Sequence, residues 1–181
     1  MGTIFIFRGK AATGKTTLSN MLAQKLSISI IRKDDVVDAL KASKNMSKSS
    51  INNEVCYNIL YKIIQTNLEL HVDLILDIGL GDRHNAATFL NRLDFEGNTA
   101  LKFFIDCSDE EEWKRRHRER LKNPLPHQSF QSLEHIMEHY QNADIQPFDD
   151  EYVIDSANPL QQCFQELCDI ADKQKAIDKG R

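Results

Sequence analysis

Residues Gly9-Lys10-Ala11-Ala12-Thr13-Gly14-Lys15-Thr16 match G-x-x-x-x-G-K-[ST] at every fixed position. The chemistry such a spacing permits is the gripping of a polyphosphate. Its glycines let the backbone turn tightly, so that successive N–H groups converge on phosphate oxygens. A helix that starts at the loop directs its positive end to the same spot. Lys15 is then placed to bridge the β- and γ-phosphates, and the Thr16 hydroxyl to ligate Mg2+. The candidate nucleotide-binding residues are Gly9, Ala11, Ala12, Thr13, Gly14, Lys15, Thr16 and Thr17. The motif has meaning only between a strand and a helix. Thr3 to Phe7 read as a short buried strand, and Leu18, Met21, Leu22 and Leu26 share one face of a helix over 15–26.

The elements that must carry this loop alternate along the chain. Strands are expected at 3–7, 28–31, 72–77, 100–106 and 152–155. Helices are expected at 15–26, from Val36, at 51–71, at 83–93, from a Ser108 cap to Lys122, through Phe130, Leu133, Met137 and Tyr140, and from Leu160 onward. The polar stretch 41–50 reads as a mobile loop, and the charged tail from Lys173 as frayed. Strand–helix alternation of this kind predicts an α/β fold, a parallel sheet covered on both faces. With 181 residues and no linker, one domain over 1–181 is expected.

In such a sheet ligands gather at the carboxyl ends of the strands. That filter selects the loop at Gly9, Asp34 and Asp35, the run Asp77 to Arg83, and Asp106 to Ser108. Phosphoryl transfer to an alcohol needs a carboxylate near the attacking hydroxyl, and Asp34 is the candidate base. Capping of the next helix is the plainer role for Asp34 and Asp35. Asp77 ends an apolar strand, where a buried carboxylate needs a partner; Thr16 or the shell of a Mg2+ ion would serve, with Asp106 second. Asp82 and Arg83 are candidate substrate contacts. Arg116 and Arg120, spaced i, i+4, face the same way and could close over a triphosphate. Cations are also favoured at a helix C-terminus for its own sake.

The balance of 23 basic and 27 acidic side chains argues against nonspecific nucleic-acid binding. No hydrophobic run approaches the roughly 20 residues of a membrane span, and no secretory signal pattern is visible. Cys56, Cys107, Cys163 and Cys168 form no C-x-x-C pair and fit buried reduced thiols. A cytoplasmic protein is expected. Six histidines show no H-E-x-x-H, so no zinc site is expected.

The segments Gly9–Thr17, Arg32–Val37, Leu74–Arg83 and Trp113–Arg120 resemble the small P-loop kinases of the adenylate-kinase-like type, near chloramphenicol phosphotransferase, gluconate kinase, zeta toxins and polynucleotide kinase. The resemblance implies a three-layer P-loop NTPase fold with a five-stranded parallel sheet of order 2-3-1-4-5. It also implies a mobile, arginine-bearing helical lid near 116–128, and ATP as donor of a γ-phosphate. Asp150–Ser156 resembles the strand and loop near the nucleotide base. Many relatives have an arginine three residues after the base aspartate; Val37 stands there. That departure favours a small hydroxyl compound as acceptor. The alternatives are a nucleotide, nucleotide sugar or nucleic-acid 5′-hydroxyl as acceptor, or a nucleotide-binding regulatory module with slow hydrolysis.

Overall fold

The computed structural model describes residues 1–43, 53–128 and 130–179. Its elements run β1 (Thr3–Arg8), α1 (Lys15–Leu26), β2 (Ser29–Arg32), α2 (Lys33–Ala42), α3 (Asn53–Glu69), β3 (Leu74–Asp77), α4 (Arg83–Leu90), β4 (Thr99–Asp106), α5 (Glu110–Lys122), α6 (Leu133–Gln141), β5 (Glu151–Asp155) and α7 (Leu160–Lys179). The five strands form one sheet of order β2-β3-β1-β4-β5, and every pairing is parallel. This is the α/β P-loop NTPase-like fold, in the strand order that the resemblance implied.

The central strands β1 and β3 are buried throughout, which is why they read as apolar runs, while the edge strands β2 and β5 are partly exposed. Ile4 and Ile6 of β1 point to one layer, with Leu60 and Ile64 of α3 and Phe89 of α4. Phe5 and Phe7 point to the other, with Leu18 and Leu22 of α1 and Cys163 and Leu167 of α7. A smaller cluster of Cys107, Trp113 and Ile136 joins α5 to α6 and packs on Ala11. Register places Phe7 beside Asp77 and Asp77 beside Arg32. The carboxyl ends of β1, β2 and β3 therefore finish side by side, and the polar residues that follow them share one edge.

Three expectations change. Asp109, not Ser108, caps α5, accepting from the Glu112 amide at 3.0 Å; Ser108 instead donates its hydroxyl to Asp155 Oδ2 at 2.5 Å. In α6 the buried residue is Ile136, while Met137 is exposed and Phe130 precedes the helix. The tail does not fray at Lys173: α7 continues to Lys179, tied down by the pairs Lys25–Asp172 and Lys175–Asp73. Of the stretch read as a mobile loop, Lys41 and Ala42 end α2 and residues 44–50 lie outside the described residues. All four cysteines are free and buried. Among the described residues no helix is long and apolar enough to cross a membrane.

Candidate active site

The loop from Gly9 to Gly14 joins β1 to α1 through three residues with positive φ: Gly9 at 135°, Ala12 at 61° and Gly14 at 95°. Gly9 is required by contact as well as conformation, since a Cβ there would lie 2.2 Å from the Ile105 carbonyl oxygen. Ala12 carries a Cβ in the left-handed region, a strain of about 1 kcal/mol. Thr13 is fully buried and its hydroxyl donates to the Lys10 carbonyl at 2.9 Å. Lys15 Nζ donates to the same oxygen at 2.6 Å, so the ammonium lies inside the curve of the loop. Burial pushes the Lys15 pKa down, while the Asp77 carboxylate pulls it back up; Arg120 and Asp34 also act on it, in opposite senses.

Asp77 is buried at the end of β3, and the Thr16 hydroxyl donates to its Oδ2 at 2.8 Å. Ser19 Oγ lies 3.3 Å from the same oxygen and Arg32 Nε 3.9 Å. Asp106, the second metal candidate, faces Lys10 at 3.6 Å instead. The groups gathered at Thr16 are hydroxyl and carboxylate oxygens, a donor set that fits a hard cation such as Mg2+ and not a thiophilic metal. Among the described residues no group of three or more His, Cys, Asp or Glu is arranged to hold a metal by itself.

Asp34 stands in the first turn of α2, whose cap, Arg32, makes no side-chain capping bond. The Asp34 carboxylate meets His127 Nε2 at 3.2 Å, and His127 Nδ1 meets Asp38 at 3.0 Å. Lys41 Nζ donates to the Pro126 carbonyl at 2.9 Å. The segment after α5 thus rests on α2 directly over the candidate base. Asp35 pairs instead with Arg32 at 3.7 Å.

Arg116 and Arg120 do face the same way. Both line a cavity of about 320 Å3 with Ala12, Gly14, Thr17, Ser156, Leu160 and Cys163. Arg116 is fixed there by Ser156 Oγ at 2.9 Å, the Ser156 carbonyl at 2.7 Å and Glu112 at 2.8 Å. Hydrogen bonds from Arg115 and Arg116 pull the Glu112 carboxyl down to about 2. Both oxygens of Asp82 are committed: one caps α4 through the Asn85 amide at 2.9 Å, and the other accepts from the Asp144 amide at 3.2 Å. The Arg83 guanidinium stacks on Phe148 at 5.2 Å.

Sequence reasoning missed several residues around the loop. The Ala11 amide donates to Tyr140 Oη at 2.7 Å, and the Ala11 carbonyl accepts from Trp113 Nε1 at 2.9 Å, with His117 Nε2 3.2 Å away. The Ala11 peptide is therefore taken up by side chains of α5 and α6. Only the i, i+4 spacing of Trp113 and His117 hinted that they share a face. Burial lowers the His117 pKa to about 4, helped by Arg120, Lys15 and Lys10 and opposed by the Ala11 carbonyl. The unfolded chain takes up this proton first, so the stability held by the neutral ring is complete above the ordinary value of 6.5 and is lost as pH falls towards about 4. That loss is about 3 kcal/mol over the window. Urea titrations of wild type and His117→Gln should show it: the midpoint of the variant should depend far less on pH between those limits.

Residues 4–144 match the family model described as an AAA domain. No curated protein matches the sequence. Among solved structures, a Chloroflexus aurantiacus protein assigned provisionally as a kinase aligns with a TM-score of 0.71 at 18% identity, over 93% of this chain and 97% of that one. Kti12 of Chaetomium thermophilum, solved with ADP-AlF3, aligns at 0.70 and 12% identity, over 93% and 97%. APS kinase of Mycobacterium tuberculosis, solved with AMPPNP and APS, aligns at 0.64 and 13%, over 94% and 98%. At such identities the likeness is one of fold. The family match spans the phosphate loop, Asp34, Asp77, Arg116 and Arg120, and by it the chain belongs to the AAA domain family of P-loop proteins.

Proposed function

We propose that this protein is an ATP- and Mg2+-dependent kinase that transfers the γ-phosphate to a hydroxyl of a small molecule. The observation that carries the reading is geometric: the Lys15 ammonium lies inside the loop, the Thr16 hydroxyl donates to the buried Asp77 at 2.8 Å, and Arg116 and Arg120 line one cavity with Ala12, Gly14 and Thr17. A phosphate grip, a cation partner and two cations from α5 are thus gathered at one edge of the sheet, and the charge of Asp34 also acts on Lys15. Nucleotide-bound neighbours of the same fold, solved with AMPPNP or ADP-AlF3, support the nucleotide part.

In the proposed reaction Asp34 takes the proton of the acceptor hydroxyl as its oxygen attacks the γ-phosphorus. The bond from phosphorus to the bridging oxygen breaks, leaving ADP. Lys15 neutralises charge on the β- and γ-phosphate oxygens, and Arg116 and Arg120 do so from the lid side. Thr16 would hold Mg2+, with Asp77 supporting it; the ion, when bound, neutralises phosphate charge. Asp82 and Arg83 act at the wall of the acceptor site, where Asp82 shapes the loop through its two amide bonds.

Calorimetry with Mg2+ and a non-hydrolysable ATP analogue should show binding by wild type. Lys15→Ala should weaken it by about 10- to 100-fold, the worth of a charge-assisted hydrogen bond. Transfer of labelled γ-phosphate across a panel of hydroxyl metabolites, with 5′-hydroxyl oligonucleotides included, then identifies the acceptor class. Tight nucleotide binding with no acceptor-dependent turnover would overturn the kinase reading and leave a slow nucleotide hydrolase.

A further inference from the structure

The Ala11 peptide is held from two sides. Tyr140 Oη takes its N–H at 2.7 Å, while Trp113 Nε1 donates to its carbonyl at 2.9 Å and His117 Nε2 lies 3.2 Å from the same oxygen. The next residue, Ala12, sits at φ 61°, where glycine is the default because a Cβ is strained. The loop therefore makes a left-handed turn with a residue that disfavours it, directly after a peptide fixed by three side chains. Those side chains support one another: Trp113 packs edge-on against His117 at 4.8 Å and against Tyr140 at 6.0 Å. Trp113 and His117 are both buried.

We infer that Tyr140 is a positioning residue for the nucleotide. Its hydroxyl pins the Ala11 amide, and the pinned peptide holds Ala12 in the left-handed turn from which the loop runs on to Gly14 and Lys15. The inference rests on the nucleotide reading proposed above. It adds a residue 129 positions away in sequence that acts through the loop alone. Tyr140 stands on α6 and packs on Trp113 of α5, the helix that also carries Arg116 and Arg120, so the loop, α5 and α6 form one mechanical unit.

Tyr140→Phe removes one hydroxyl and keeps the ring. Calorimetry with Mg·ADP and with a non-hydrolysable ATP analogue should find the dissociation constant raised about fivefold, the worth of one hydrogen bond. Emission from Trp113, the single tryptophan, gives a second measure of the same binding. Ala12→Gly removes the strain that the tether opposes, so in that background Tyr140→Phe should change the constant by less than about twofold. A hydroxyl that merely stabilised the fold would lower the melting temperature and leave nucleotide affinity alone. An unchanged constant in Tyr140→Phe, or an equal rise in both backgrounds, overturns the inference while the nucleotide reading stands. A wild-type protein that binds neither nucleotide overturns both.

Discussion

Asp34→Asn should lower the rate of phosphate transfer by about 10²- to 10⁴-fold, the usual contribution of a general base, with nucleotide affinity close to wild type. The side chain is 52% exposed and open to an incoming hydroxyl, yet close enough to the loop for its charge to act on Lys15. It does not line the cavity beside Gly14 and Ser156. Asparagine keeps the shape and can still contact His127, but cannot take a proton at this position. Asp35 is the internal control. It is 67% exposed and paired with Arg32, and Asp35→Asn should alter the rate by less than about twofold. Single-turnover transfer with the identified acceptor measures both. An Asp34→Asn protein that keeps most of its rate would remove Asp34 from the chemistry and turn attention to its neighbour Asp38, which shares His127.

What could be read from the sequence divides along a physical line. The phosphate loop was legible because every determinant lies in eight consecutive residues with fixed backbone demands, and the positive φ at Gly9 and Gly14 matches them. Strands and helices were legible from apolar period, to within a few residues at their ends. The pairing of Thr16 with Asp77 was foreseeable because Asp77 ends β3 and Thr16 opens the helix after the loop that follows β1, and β1 and β3 are neighbours in the sheet. Strand order was not legible from pattern: nothing local to β1 says that β3 and β4, rather than β2, flank it, and only the resemblance supplied this. The cap of α5 was misplaced because Ser108 and Asp109 are both good caps, and Asp155, 47 residues on, claims Ser108. His127 and Tyr140 escaped for the same reason. Their partners are 89 and 129 residues away, and on sequence alone each is one aromatic among several. Asp82 and Arg83 were singled out by position, but only the fold reveals that Asp82 spends both oxygens on amides.

Arg8 escaped notice as well, and its loss is the largest stability effect expected. It ends β1 directly before the phosphate loop, a place where an arginine reads as a surface cation. Instead it is among the most buried side chains of the chain, 1% exposed, and it meets a Glu151 that is 0% exposed, at 2.5 Å. Its guanidinium also donates to the carbonyls of Leu80, Gly81 and Gln146 and lies between the rings of Phe104 and Phe148. Glu151 in turn accepts from the Phe148 amide at 2.7 Å. Removing the arginine strands the Glu151 charge and takes the guanidinium donor from the buried carbonyls of Leu80 and Gly81. Arg8→Met should therefore destabilise the protein by about 3–5 kcal/mol, a large share of the 5–15 kcal/mol that holds a typical fold together. Arg8→Met with Glu151→Leu should recover part of this, because no lone charge remains buried. Urea midpoints for the two variants decide the matter: equal loss in single and double variants would mean that the carbonyl contacts, not the ion pair, carry the stability. The functional consequence follows from the same contacts. Arg8 fastens the root of the phosphate loop to the Gly81 segment and to Gln146, so a variant that still folds should also bind nucleotide less tightly, and an Arg8→Met protein with full affinity would separate the loop's geometry from this buried tether.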